Sequence, residues 1–184
     1  MIKISCTFLM TTISLIWLAV RGVVWIKTKR INAKRELQLL TVYVCIVVVA
    51  RITCFPFERV NGAVQPLVFD PQRLLPLRVN LVPFVNMLNY PTLGETLRNV
   101  VGNTVMFMPL GIVWPSVFKG LNSHKKVVLS GFLSSLFIEI FQLPFYERSS
   151  DVDDLILNTL GFVIGYLIYL AIRRVKHKST DSVN

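Results

Sequence analysis

Residues 152–172 read VDDLILNTLGFVIGYLIYLAI, a long apolar segment that begins with two aspartates after a valine. Beyond its first turn the segment is apolar except for Asn158 and the threonine that follows it. A helix rises about 1.5 Å per residue and needs roughly 20 residues to cross the hydrocarbon core of a bilayer. The stretch has that length, so we predict that it forms a transmembrane helix.

Four windows upstream have the same length and character. With 53% hydrophobic and 16% charged residues and a mean hydropathy of +0.59, the chain is too apolar for an ordinary soluble domain. We therefore predict an all-α fold, a polytopic helical membrane protein with about five transmembrane helices, in which residues 1–184 form a single membrane domain. The predicted spans are residues 7–26, 37–55, 99–118, 127–146 and 152–172.

The third predicted span differs from the others because it contains Pro109, Gly111 and Pro115. Proline removes a backbone donor and clashes with the preceding turn, so it kinks or breaks a helix. Within a bundle, neighbouring helices can satisfy the carbonyls that are set free. We predict a kinked or broken helix at this position.

Lysine and arginine are unevenly shared between the two sides of the predicted membrane. Short cytoplasmic loops retain positive residues. Twelve of these residues lie in the connections 27–35 and 119–126 and in the tail 173–184, against six on the opposite side. We therefore predict an N-terminus outside the cell and a cytoplasmic tail formed by residues 173–184.

The net charge of +10 would suggest nucleic-acid binding in a soluble chain. Here the basic clusters adjoin predicted spans, where orientation and attraction to anionic lipid headgroups account for them. No basic stripe with interleaved stacking aromatics accompanies them. The predicted partner is the lipid bilayer, with no nucleic acid.

The predicted outer loop, residues 56–98, is 43 residues long and holds six of the nine prolines. It is too long for a simple turn and too apolar for a flexible linker. Residues 74–77 and 81–88 could lie in the membrane interface or fold back between helices, where the backbone is screened from lipid. The alternative is an ordered surface loop.

The fourth predicted span places Glu139 and Gln142 three residues apart, hence on one helix face. An ionisable side chain inside a membrane span is costly and usually faces a protein interior or a wet cavity. This position therefore favours a functional role for Glu139, as a general acid or base. The competing interpretation is a structural ion pair.

Three carboxylates and a guanidinium follow within seven residues, from Arg148 to Asp154. Asp151 could cap the last helix, with Asp153 or Asp154 beside its positive N-terminus. Capping does not explain Asn158, which follows Asp154 by one helical turn and lies deeper in the membrane on the same helix face. Gly161 and Gly165 continue that face, and their spacing predicts close helix packing.

Polar residues of other spans extend this face into a polar seam at the predicted outer side. Arg51 either extends to the lipid headgroups or pairs with a carboxylate, because an unpaired buried charge costs several kcal/mol. The polar seam comprises Arg51, Asn80, Arg98, Asn99, Asn103, Gln142, Arg148, Asp151, Asp153, Asp154 and Asn158.

Four motifs occur in order along the chain and together resemble the VanZ-like family of bacterial membrane proteins. The resemblance covers residues 80–166, about half of the chain, and the set of four is more specific than any one motif. The motifs are Asn80-Leu-Val-Pro-Phe84, Asn99-Val-Val-Gly-Asn103-Thr-Val-Met-Phe107-Met-Pro109-Leu-Gly111, Glu139-x-x-Gln142, and Arg148-x-x-Asp151-x-Asp153-Asp154-x-x-x-Asn158-Thr-x-Gly161.

The resemblance implies a multi-pass protein of the bacterial cell membrane with a role in the cell envelope. The founding member of the family is associated with resistance to the glycopeptide antibiotic teicoplanin, and the biochemical activity of the family is not established. Resistance is therefore one expectation for this chain among several.

Three mechanisms remain open. The first is a non-catalytic protein that binds or shields an envelope lipid or peptidoglycan precursor, or that alters the cell surface so that a lipophilic glycopeptide is less effective. The second is a membrane-embedded enzyme acting on lipid-linked phosphate substrates, with Glu139 as acid or base, the three aspartates holding a divalent cation, and Arg51, Arg98 or Arg148 binding phosphate. The third is a small transporter or channel. The sequence leaves the oligomeric state open.

Overall fold

The structure, a computed structural model, describes residues 1–55, 59–74, 79–85, 91–146 and 148–181, without the side chains of residues 73, 74 and 177–181. Each of the five predicted spans coincides with a long helix, which confirms the all-α class. The helices are α1 (Cys6–Thr28), α2 (Ala33–Cys54), α3 (Leu93–Val117), α4 (His124–Gln142) and α5 (Val152–Asp181).

Four of the five helices, α1, α2, α3 and α5, are long and apolar enough to cross a membrane. The remaining helix, α4, is the shortest of the five, with 19 residues, and carries Lys125, Lys126 and Glu139. None of the residues of α1 is buried within the protein, and its large apolar side chains lie on the surface. Such a surface is suited to lipid, so the chain is a multi-pass membrane protein.

Helix α3 runs without interruption from Leu93 to Val117 and includes Pro109 and Pro115. Of the two outcomes predicted here, a broken helix is therefore excluded. The helix also begins six residues earlier than predicted, because the Thr92 hydroxyl oxygen accepts the backbone N–H of Glu95 at 3.2 Å and caps the first turn.

Short strands occur in the predicted outer loop, near the amino terminus and just before α5. A 3-10 turn, Pro71–Leu74, lies between the fourth and fifth strands. Residues 75–77 and 86–88 of the predicted interfacial segments lie outside the described residues. The strands are β1 (Ile2–Ile4), β2 (Arg59–Val60), β3 (Ala63–Val64), β4 (Leu67–Phe69), β5 (Val79–Asn80) and β6 (Ser150–Asp151).

The chain forms two compact units. The first unit comprises Met1–Val79 and Ile140–Ser150, and the second comprises Asn80–Glu139 and Asp151–Asn184. The prediction of a single membrane domain stays a prediction.

In the first unit, β1 pairs antiparallel with β4 in a register that joins Ile2 to Phe69. Behind this small sheet lies an apolar core of Cys54, Phe55, Leu67 and Phe145, with Phe55 fully buried. Ile4 of β1 packs against this core, which also contains Leu67 of β4, so the core ties the amino terminus to the outer loop.

Helices α1 and α2 are joined by polar contacts within the same unit. The hydroxyls of Ser14 and Tyr43 are 2.6 Å apart, and the Tyr43 ring lies 4.9 Å from that of Trp17. Nearer the Lys- and Arg-rich ends of the helices, Arg21 forms an ion pair with Glu36. These contacts hold the antiparallel helix pair in register.

In the second unit, α3 and α5 pack against each other through glycines. A Cβ atom added at Gly161 would overlap the carbonyl of Thr104, and one added at Gly165 would overlap the carbonyl of Met108. Conversely, a Cβ at Gly111 on α3 would overlap the backbone of α5. The two backbones therefore touch, which fixes the depth at which polar residues of α5 face α3.

Candidate functional site

The first turn of α5 gathers the carboxylates at one end of the second unit. Helix N-termini leave backbone N–H groups without intrahelical acceptors, and carboxylates satisfy them and complement the helix dipole. The Asp151 side chain accepts the backbone N–H of Asp153 at 3.0 Å, as a capping residue does. The acidic cluster defined by Glu139, Asp151, Asp153 and Asp154 is built around this turn.

Asp151 links three parts of the second unit. In addition to capping α5, its Oδ1 atom accepts a hydrogen bond from the Asn80 amide at 3.2 Å. Its own backbone N–H donates to Oε2 of Glu139 at 3.1 Å. Glu139 is 5% exposed, so its carboxylate lies inside the protein and helps to hold the start of α5.

Asp153 is the most buried member of the acidic cluster, with 2% of its surface exposed. Its Oδ1 atom accepts the backbone N–H of Phe84 at 2.7 Å, and Phe84 has the left-handed φ of 68°. Its Oδ2 atom is buried and has no hydrogen-bond partner among the described residues. One oxygen of Asp153 therefore holds the outer loop, while the other is unsatisfied within the described part of the chain.

Asp154 and Asn158 connect α5 to its neighbours. Asp154 accepts a hydrogen bond from the Asn103 amide on α3. One turn deeper, Asn158 is 2% exposed, and its amide donates to the Ser135 hydroxyl on α4 at 3.1 Å. The Oδ1 atom of Asn158 has no partner in the described ranges, which makes it a second unsatisfied buried acceptor.

The acidic cluster and Asn158 together can receive hydrogen bonds from a ligand, because Oδ2 of Asp153 and Oδ1 of Asn158 are acceptors only. Buried acceptors nearly always receive a hydrogen bond from protein or from ordered water, so we expect a donor group beside each of these two atoms. Within the residues that the structure describes, no group of three or more histidine, cysteine or acidic side chains is arranged to hold a metal ion. The three-aspartate cation site that we considered stays a prediction.

Three predicted residues lie in the first unit instead. The Arg51 guanidinium donates to the carbonyl of Phe55 at 3.0 Å, and the Gln142 amide donates to the carbonyl of Thr53 at 2.6 Å. Arg148 follows the short turn after α4, where its backbone N–H donates to Phe145 at 3.2 Å.

Arg98 and Asn99 belong to the second unit and lie on the second turn of α3. Arg98 is exposed and Asn99 is half-buried. Neither side chain forms a hydrogen bond within the described residues. Of the predicted polar seam, the second unit thus brings together Asn80, Asn103, Asp151, Asp153, Asp154 and Asn158, beside Glu139.

Two groups at the site, the Ser135 hydroxyl and the Phe84 backbone N–H, were not predicted from the sequence. Ser135 is fully buried and lies four residues before Glu139, hence on the same face of α4. That spacing is a usable signal, although serine is common in apolar spans. The Phe84 N–H has no sequence signal, because its role depends on how residues 80–84 fold onto α5.

Comparison with known proteins places these residues in a wider context. A family model described as VanZ/LLP1 matches residues 40–173. Protein VanZ of Enterococcus faecium is 30% identical over 106 residues, which are 57% of this chain and 61% of that protein. The match therefore spans less than two thirds of that relative. No solved structure matches the chain significantly.

Proposed function

The chain belongs to the VanZ/LLP1 family, and we propose that it acts in the bacterial cell envelope, where it lowers susceptibility to teicoplanin-type glycopeptides. It does so by binding an envelope lipid or peptidoglycan precursor rather than by altering it chemically. In this proposal the N-terminus lies outside and residues 173–184 lie in the cytoplasm. The acidic cluster then faces the side of the membrane on which such antibiotics act.

The observation that carries the proposal is the unsatisfied Oδ2 atom of Asp153. A buried carboxylate oxygen without a donor costs free energy that no described residue offsets. A ligand hydroxyl, amide or ammonium group would offset it. Sugars and short peptides, the components of envelope precursors, are rich in such donors.

The neighbouring acceptor of Asn158 supports the same conclusion. Asn158 follows Asp153 by five residues along α5, more than one turn away and about 140° around the helix axis, so it offers a second acceptor on a different face and deeper in the unit. Two acceptors at different depths favour a ligand with several donors. They also favour a polar ligand over the hydrocarbon part of a lipid.

The hydrogen bonding of Glu139 favours a binding function over a catalytic one. A general acid or base must reach the proton of a substrate. The Oε2 atom of Glu139 instead accepts the backbone N–H of Asp151, and Asp151 is itself engaged with Asn80 and the helix cap. Most of the acidic cluster thus stabilises the protein, and the unsatisfied oxygens are left for recognition.

The test compares teicoplanin and vancomycin susceptibility in a sensitive Gram-positive host that expresses the wild type, Asp153→Asn or Glu95→Gln, with membrane levels quantified for each. The Asp153→Asn substitution keeps an oxygen that can accept the Phe84 N–H and replaces Oδ2 by an amide NH₂ group. This NH₂ group cannot accept a hydrogen bond from a ligand. Glu95→Gln is the matched control, because Glu95 is exposed in the first turn of α3 and lies outside the acidic cluster.

We expect protection against teicoplanin but not vancomycin from the wild type and from Glu95→Gln, and no protection from an equally abundant Asp153→Asn protein. Absence of protection from an abundant, correctly inserted wild type would overturn the resistance function. Full protection by Asp153→Asn would overturn the role of the unsatisfied oxygen. A change in the host's lipid-linked precursors that requires Asp153 would favour the enzyme instead.

A further inference from the structure

A partly enclosed cavity of about 840 Å³ lies at the opposite end of the second unit from the acidic cluster. It is bounded by the last turn of α3, by the connection to α4 and by residues 166–173 of α5. Its volume is within the range of small-molecule sites. Its lining includes Lys119, His124, Tyr166, Tyr169 and Arg173.

The lining of this basic cavity carries positive charge without compensation. Lys119 and Arg173 contribute two cations and His124 an imidazole, whereas no aspartate or glutamate is among the described residues that line it. The first turn of α4, which begins at His124, contains no acidic residue either. The positive end of that helix therefore adds to the field of the side chains. The missing counter-charge indicates an anionic ligand.

One wall of the basic cavity is held in place by side-chain contacts. The Tyr166 hydroxyl lies 2.8 Å from Nδ1 of His124, which joins α5 to α4. Tyr166 is 7% exposed, and its ring stacks on Tyr169 at 6.2 Å with an interplanar angle of 18°. A wall arranged in advance loses little conformational entropy when a ligand binds.

The location of the basic cavity indicates which kind of anion it could bind. It lies where α3 ends, where α4 begins and where α5 carries Arg173, beside the Lys- and Arg-rich segments 119–126 and 173–176 of the second unit. Phosphate groups of lipids lie at this level of a bilayer and attract such residues. Arginine and lysine are also the usual partners of phosphate in proteins. The geometry points to the basic cavity as a binding site for a phosphate-bearing anion.

The competing explanation is that Lys119 and Arg173 only orient the chain, as basic residues at the ends of spans generally do. That explanation predicts that any basic residues at this end of the unit are equivalent. A matched pair tests this directly, because Lys125 and Arg174 are exposed near the cavity but do not line it.

The experiment uses the full chain in a nonionic detergent. Native mass spectrometry and calorimetry measure the binding of phosphatidylglycerol, of phosphatidylcholine and of inorganic phosphate to three proteins. These are the wild type, the lining variant (Lys119→Gln with Arg173→Gln) and the control variant (Lys125→Gln with Arg174→Gln). All four substitutions are at exposed positions, so each protein should fold.

We expect phosphatidylglycerol to bind the wild type more tightly than phosphatidylcholine does, about tenfold weaker binding to the lining variant, and less than about a twofold change in the control variant. If inorganic phosphate binds with the same dependence, the source of the phosphate is soluble; if only the lipid binds, it is a headgroup. Both results support the site. Equal losses in the two variants, or no binding of either phosphate compound, would overturn it.

Discussion

The two ends of α5 use their charges in opposite ways. At the first turn, Asp153 is 2% exposed and engages the outer loop through the Phe84 N–H. At the far end, Arg173 is exposed and lines an open cavity. A buried charge contributes to stability through its partners, whereas an exposed one is solvated and available to a ligand. Substitutions at the first turn should therefore change stability as well as recognition of the proposed envelope ligand, and those toward the far end should change binding with little effect on stability.

The largest change in stability should come from disrupting the contact between α5 and α3, because this contact positions the residues at both ends of α5. We expect Gly161→Ala to lower the free energy of unfolding in detergent by about 3 kcal/mol, since the new Cβ overlaps the Thr104 carbonyl. Gly102→Ala on α3 is the control, because nothing lies within 4 Å of its Cβ position. That change should be neutral or raise stability by up to about 1 kcal/mol.

Thermal unfolding of both glycine variants, followed by circular dichroism in the same detergent, measures the difference. Equal stability of the two variants would mean that the α3–α5 contact is looser than described. In that case the depth of Asn158 relative to α3 would also be open to change.

Two substitutions of Asp153 test how the acidic cluster contributes to stability. Asp153→Ala removes the acceptor of the Phe84 N–H, so it should cost about 2 kcal/mol in unfolding free energy. Asp153→Asn keeps that acceptor and should retain at least half of the lost stability. Denaturant titration of both variants is the measurement. If alanine proved no worse than asparagine, the Phe84 contact would not be what holds the outer loop.

The smallest expected effect is at the basic end. Tyr166→Phe removes the hydroxyl that contacts His124, and interhelical hydrogen bonds in membrane proteins are worth about 0.5–1 kcal/mol. Tyr169→Phe keeps the ring stack and should change stability by less than about 0.5 kcal/mol. Thermal melts of the two variants decide between these values. A larger effect at Tyr169 would show that its hydroxyl has a structural role.

The helices were predictable because the bilayer imposes a length on apolar segments, and residues 152–172 satisfy it without any tertiary information. The residues at which the helices begin and end were less predictable. Helix α3 begins at Leu93 because Thr92 caps it, and that capping threonine lies within a loop whose pattern indicated no helix. The pairing of Ile2–Ile4 with Leu67–Phe69 was not predicted, since strands of three residues have too little periodicity to detect.

The candidate site was predictable in its residue types and not in its partners. Burial within a span singled out Glu139 and Asn158, and both are buried in the structure. What each side chain bonds to depends on tertiary packing. Glu139 accepts a backbone N–H, and Arg51 and Gln142 bond to carbonyls of the first unit, all contacts that leave no trace in side-chain spacing.

The core around Phe55 has a consequence for the order in which the chain is made. Its residues include Leu67 and Phe145, and Ile2 at the amino terminus pairs with Phe69. Ribosomes add roughly 5–20 residues per second, so the first unit waits several seconds for its last segment, Ile140–Ser150. All of α3 is synthesised in that interval. The unit that starts first therefore cannot be completed until most of the second has left the ribosome.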